Sequence, residues 1–113
     1  MVKMNVFLDD VRSCPDGFML VRDAEACLDM LNHHLISHLS LDYDLVDKKK
    51  NGYYLVEQMV KNHLYADHII IHSANASGSK KMYNYLKEAR NLHLIPYDVK
   101  ITKRPLPIYN KIQ

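Results

Sequence analysis

The sequence predicts an α/β fold, a three-layer α/β/α arrangement with one parallel sheet and helices on both faces. Three observations lead there. Short strand-like runs alternate with segments of helical periodicity in the order β-β-α-β-α-β-α-β, and such alternation builds parallel sheets. Ile69-Ile70-Ile71 is apolar without interruption, as in a strand covered on both faces. Three of the runs also end in polar residues: Val6-Phe7-Leu8 in Asp9-Asp10, Leu39-Ser40-Leu41 in Asp42-Tyr43-Asp44, and Ile69-Ile70-Ile71 in His72-Ser73. Ligands of open α/β sheets bind at the carboxyl ends of the strands.

Each element follows from local chemistry. Met4 to Leu8 is a short apolar run and the first strand. Asp10 to Gly17 is a loop, because Pro15-Asp16-Gly17 is turn chemistry. Phe18 to Arg22 forms a second, weaker strand. Asp23 then caps a helix with an acidic first turn. Ala24, Cys27, Leu28, Leu31 and Leu35 recur at helical spacing as its buried face, and His33 and His34 close it. The third strand runs from Ile36 to Asp42, and a polar loop from Leu45 to Asn51 follows. Tyr54, Leu55, Gln58, Met59 and Asn62 share a face of a second helix, from Gly52 to about Leu64. Asp67 to His72 is the fourth strand, followed by a loop of small residues from Ala74 to Ser79. Ser77 or Ser79 caps a third helix through about Arg90, burying Met82, Leu86 and Ala89. Pro96 ends the connection, and Tyr97 to Thr102 alternates as the fifth strand. Arg104-Pro105-Leu106-Pro107 stops regular structure and leaves a short tail.

The chain has 113 residues, which is one domain over 1–113 and enough to bury a core. Its 48% hydrophobic and 25% charged residues are an ordinary globular mix. A formal charge of +2 is too small to argue for duplex nucleic acid. The charge is uneven, however: acids cluster early, and Lys48 to Lys50, Lys80-Lys81 and Lys100 to Arg104 are basic. Bases around an acidic centre suit a phosphate-bearing ligand held against a metal; a solvated lysine surface is the plainer alternative. Cys14 and Cys27 have no metal-site spacing and read as reduced thiols of a cytoplasmic chain. Lys3 and Asp9 interrupt any signal-peptide core, and no stretch approaches the roughly 18 apolar residues of a membrane span.

Asp9, Asp10, Asp42, Asp44, His72, Ser73, Asn75 and Lys103 all stand at or just past strand ends, which share one edge in a parallel sheet. Asp42 and Asp44 project together if the strand persists; if it ends at Asp42, Asp44 lies on the loop beyond. Four adjacent carboxylates raise one another's pKa, so either some are protonated or a cation sits among them. Oxygen ligands favour Mg²⁺, Mn²⁺ or Ca²⁺ over zinc. Each residue alone has a plainer role as a cap, a loop hydroxyl or a surface charge; the conjunction carries the signal.

That conjunction resembles the receiver domain of response regulators. There an acid pair follows the first strand, matching Asp9-Asp10; Ser73-Ala74 matches the hydroxyl residue and alanine after the fourth; Lys103-Arg104-Pro105 roughly matches the lysine and proline after the fifth. The resemblance implies a flavodoxin-like five-stranded sheet in the order 2-1-3-4-5. The family's glycine eight residues after its phosphoacceptor picks Asp44, relative to Gly52, while the strand pattern favours Asp42. Departures point to a particular branch. The loop between the first two strands is too short for a crossover helix, and the residues after the fifth strand do not supply the last helix. The first and last helices are therefore expected to be reduced or missing. His72 and Asp44 are additions, and Arg104 interrupts the Lys-Pro pair. Phe7-Leu8-Asp9-Asp10-Val11-Arg12 with Cys14-Pro15, Leu41-Asp42-Tyr43-Asp44-Leu45, and Ile71-His72-Ser73-Ala74-Asn75 with Gly78 and Met82 resemble the cyclic-phosphate-processing receiver-like domains of bacteria and their phages. Tyr43 stands where that branch favours histidine.

The resemblance implies a Mg²⁺- or Mn²⁺-dependent phosphoesterase acting on cyclic phosphates of RNA ends or small nucleotides. Asp9, Asp10 and Asp42 would hold the metal, with Asp44 as fourth ligand or base. Lys103 would take a second phosphate oxygen as a catalytic cation, and Arg12 would clamp another. Ser73, Asn75 and Gly78 would bind phosphate at the start of the next helix. His72, with an unperturbed pKa of about 6.5, would protonate a leaving oxygen. The alternative is a phosphorylatable signalling or partner-binding module with Asp42 or Asp44 as acceptor. A Toprim-like nuclease, suggested by Asp-x-Asp, ranks last because Asp9 stands where that fold wants glutamate.

Overall fold

The computed structural model describes residues 2–104. They form one parallel sheet in the order β2-β1-β3-β4-β5, as expected. The strands are β1 (Met4–Leu8), β2 (Met19–Val21), β3 (Ile36–Leu41), β4 (His68–Ile71) and β5 (Lys100–Lys103). The helices are α1 (Ala24–His33), α2 (Gly52–Lys61) and α3 (Ala76–Asn91).

The order of the strands fixes the side on which the helices lie. The crossovers through α1, α2 and α3 all advance across the sheet in the same direction, so right-handed connections place all three on one face. The core agrees. It joins Val6, Leu8, Leu39, Leu41, Ile69, Ile71 and Ile101 of the strands to Cys27 and Leu31 of α1, Leu55 and Met59 of α2, and Met82 and Leu86 of α3. By the two-residue period of a strand, Asn5, Phe7, His38, Ser40, His68, Ile70 and Thr102 turn to the opposite face. The β1–β2 connection is a loop, as expected, closed by a turn in which Gly17 takes φ +85° and Phe18 N donates to Pro15 O. The expected helices are thus found on one face among the described residues. The expectations of a short tail and of a reduced or missing last helix fall on residues 105–113, outside the described ones.

Several boundaries move for local reasons. Asp23 caps α1 as expected, accepting from Ala26 N. Leu35 is half exposed because α1 ends at His33 and Leu35 falls in the turn before β3. In α2 the buried stripe runs through Leu55, Val56, Met59 and Val60, turned slightly from the face through Tyr54, Gln58 and Asn62. Asn75, not Ser77 or Ser79, caps α3, accepting from Gly78 N at 2.8 Å. Ser79 instead turns its hydroxyl to Ser73 O, and Ser77 is exposed. β5 begins only at Lys100, because Val99 N bonds Pro96 O in a turn and Tyr97 is exposed. Both cysteines are free. No described helix is long and apolar enough to cross a membrane.

Candidate functional site

The site is one further rung of the sheet. Leu8, Leu41, Ile71 and Lys103 are register partners across β1, β3, β4 and β5. The ladder continues by one residue: Asp42 N donates to Leu8 O, His72 N to Leu41 O and Arg104 N to Ile71 O. Asp9 N donates to Val21 O on the other side. Asp9, Asp42, His72 and Arg104 therefore stand side by side just beyond the strand ends. Strand alternation gives Asp9, Asp42 and His72 the parity of the face away from α1, α2 and α3. All three are buried, and one ligand atom from each lies within 4.8 Å of the others.

Asp9 is the hub of a buried network. Its Oδ1 accepts from the backbone N–H groups of Val11 and Arg12, both at 2.8 Å. Its Oδ2 accepts from Arg12 Nη1 at 2.9 Å and lies 3.0 Å from His72 Nε2. Burial opposes ionisation of Asp9, but the bonds from His72, the two backbone amides and the Arg12 side chain outweigh it. Its carboxyl is held well below the ordinary range. An ionised carboxylate only accepts, so His72 Nε2 carries the proton between them. Behind it, Ser40 Oγ lies 2.7 Å from His72 Nδ1, and the imidazole stacks on Phe7 with centroids 4.3 Å apart. Arg22 donates to the carbonyls of Asp9 and Arg12 and ties down their turn.

Asp42 is pushed the other way. Burial and the neighbouring Asp9 charge raise its pKa, only partly offset by hydrogen bonds from Ser73 and Tyr43 N and by His72. Its nearest cation, Arg12 Nη1, is 3.8 Å away. Arg12 is itself buried, and its Nε and Nη2 find no hydrogen-bond partner. Buried donors of this kind are rare in folded proteins and mark a place for a ligand or water.

Asp42 and Arg12 open onto a cleft of about 360 Å³ lined also by Asp10, Asp44, Lys48 and Ser73. Asp44 is exposed on the loop beyond β3, where Asn75 Nδ2 donates to it at 3.2 Å. Of the two acceptor candidates, Asp42 is the one on the rung. Gly78 does not line the cleft; it is buried in α3, and a Cβ there would run into the ring of Tyr43. Lys103 does not line it either. Alternation with Ile101 turns its side chain to the helix-bearing face, where Nζ lies 5.0 Å from the centre of the Tyr83 ring. Sequence reasoning missed Ser40, Lys48 and Arg22 as individual site residues. Ser40 carried a readable signal, a polar residue inside an apolar strand two positions before Asp42.

Asp9, Asp42 and His72 could hold a metal ion. The donors are not equally available. Asp9 gives both oxygens to four N–H donors, so it binds a cation directly only if His72 or Arg12 yields. Asp42, lacking a close counter-charge, shares the cleft with Asp10 and Asp44. Two or three carboxylates and a cleft open to water make an oxygen-rich donor set.

A parallel 2-1-3-4-5 sheet, with acids after β1 and β3 and a hydroxyl residue after β4, defines a receiver-like domain. More particularly, the chain belongs to the family of cyclic-phosphate processing receiver domains, whose model matches residues 4–88. The match ends within α3, so β5 with Lys103 lies beyond it. No curated protein matches the chain.

Proposed function

We propose that this domain is a metal-dependent phosphoesterase that opens cyclic phosphates on RNA ends or small nucleotides. One observation carries the reading: a buried Arg12 with unpartnered N–H groups stands beside an under-neutralised Asp42 in an acid-lined cleft. That pairing suits a ligand that is anionic toward the arginine and brings a cation to the carboxylates. Asp42 and Asp10 would hold Mg²⁺ or Mn²⁺ on the cleft side, with Asp9 behind and Asp44 left free to act as the base. The bound cation would neutralise charge on the phosphate as it is attacked.

The chain's own groups do the rest. Arg12 lines the cleft, and its Nε and Nη2, buried as the domain stands, would turn to phosphate oxygens as a planar fork. Ser73 and Lys48 also line the cleft. Asp44, exposed and held by Asn75, takes a proton from the attacking water. A P–O bond forms from that water, the bond to one ribose oxygen breaks, and that oxygen takes a proton from solvent in the open cleft. His72 reaches the leaving oxygen only by giving up Asp9, so its first role is to hold Asp9 and, through it, Arg12.

The test is a panel of linear and 2′,3′-cyclic phosphates with and without Mg²⁺ or Mn²⁺. The expected result is metal-dependent opening of the cyclic compounds, reduced on the order of 100-fold or more in Asp42→Asn and in Arg12→Ala. No turnover under any condition would sink the reading. The second reading, a phosphorylatable module, is favoured by Asp42 standing at the end of β3 beside Ser73. It predicts an acid-labile adduct on Asp42 from a small phosphodonor, without turnover.

A further inference from the structure

We propose that the side of the domain formed by α3 and β5 is a track for single-stranded RNA leading to the cleft. Lys80, Tyr83 and Lys87 are spaced i, i+3, i+7 and form one stripe along α3. Lys103 faces that stripe from β5. Two ammonium groups converge on one ring: Lys87 Nζ lies 5.3 Å and Lys103 Nζ 5.0 Å from the centre of Tyr83. None of Lys80, Lys87 or Lys103 makes an ion pair with an acid among the described residues.

Two like charges drawn to one ring repel each other, and no acid among the described residues pairs with either. A phosphate backbone would supply the counter-charge. Cations set around an aromatic ring are the surface that single-stranded nucleic acid uses, because its charge tracks the cations and its bases stack on the ring. The stripe from Lys80 to Lys87 is about 10 Å long. That is the reach of a few nucleotides, against about 34 Å for one turn of a duplex. The direction is fixed at one end: α3 starts at the cleft, where Asn75 touches Asp44, and runs away from it. The strand is RNA because a 2′,3′-cyclic phosphate requires the ribose 2′-hydroxyl. The choice of RNA and the entry of its 3′ end into the cleft rest on the phosphoesterase reading; the binding of a single strand along the stripe does not.

The experiment measures binding, not turnover. A short fluorescein-labelled oligoribonucleotide with an unreactive 3′-hydroxyl is titrated with the whole protein by anisotropy, without divalent metal and over a range of salt. The double variant Lys80→Glu with Lys87→Glu should bind at least about tenfold more weakly. Its log-log salt slope should be shallower by about 1.4, two phosphate contacts at about 0.7 each. Tyr83→Leu, which keeps the cations, should weaken binding without changing the slope. The circular dichroism spectrum and Tm of the double variant should match those of wild type, which shows that the fold is intact. Equal RNA affinity in wild type and the double variant overturns the proposal. So does a polyglutamate peptide that competes as well as RNA, which would make the partner an acidic protein. RNA binding that depends on the stripe, in a protein that opens no cyclic phosphate, supports the track and removes the phosphoesterase.

Discussion

Asp9 and Asp42 are neighbours on one rung, yet their surroundings push them in opposite directions. Asp9 is ionised against burial by four donors; Asp42 is raised by burial and by Asp9 itself. The signs make two predictions. The lowered pKa of Asp9 contributes stability that is present above its unfolded value of 3.8 and lost as pH falls through the folded value. Asp9→Asn leaves the Arg12 guanidinium buried without its countercharge and should cost about 3–5 kcal/mol at neutral pH, read by urea denaturation. The raised pKa of Asp42 is a penalty, absent below its unfolded value and full above the folded one. Asp42→Asn should therefore raise Tm by a few degrees in metal-free buffer at pH 7 and lose that advantage below about pH 4. An unchanged or lower Tm at pH 7 contradicts the assignment. Asp9, Asp42 and His72 were legible because apolar runs ended in them. Lys103 was misleading: its position at a strand end is visible in sequence, but the face it takes depends on alternation with Ile101.

At the scale of elements, close approach decides more than propensity. Gly52 opens α2 directly against the backbone of Asp42 and Tyr43; a Cβ there would run into the Asp42 carbonyl oxygen. Backbone cannot swing aside as a side chain can. Gly52→Ala should destabilise by about 1–3 kcal/mol in urea denaturation and displace Asp42 from the rung. If it folds with wild-type stability, the contact is not what fixes the β3–α2 loop. The strands and helices were readable to within a few residues because their periods are strong. The caps were not. Ser77 and Ser79 are good caps by residue type, and only the fold shows that Asn75 takes the role while also holding Asp44.

At the scale of the molecule, a single topological fact brings the site together. Parallel strands end on one edge, and in-register pairing carries residues from positions 9, 42 and 72 to one rung. Alternating sequence patterns made that convergence legible without coordinates. The sidedness of the layers was less so, because apolar runs such as Ile69-Ile70-Ile71 fit cover on both faces whether or not helices supply it. With no helix from the β1–β2 loop, Phe7 and Ser40 pack on His72 on that face, and His72 bonds Asp9, which holds Arg12 at the cleft.

Calorimetric titration of Mg²⁺ and of Mn²⁺ into the metal-free protein tests the central claim, that this rung and its cleft hold a divalent cation. One ion per chain should bind wild type, and binding should be lost or at least about tenfold weaker in Asp42→Asn. No binding of either ion to wild type, or the same isotherm in Asp42→Asn, would contradict it.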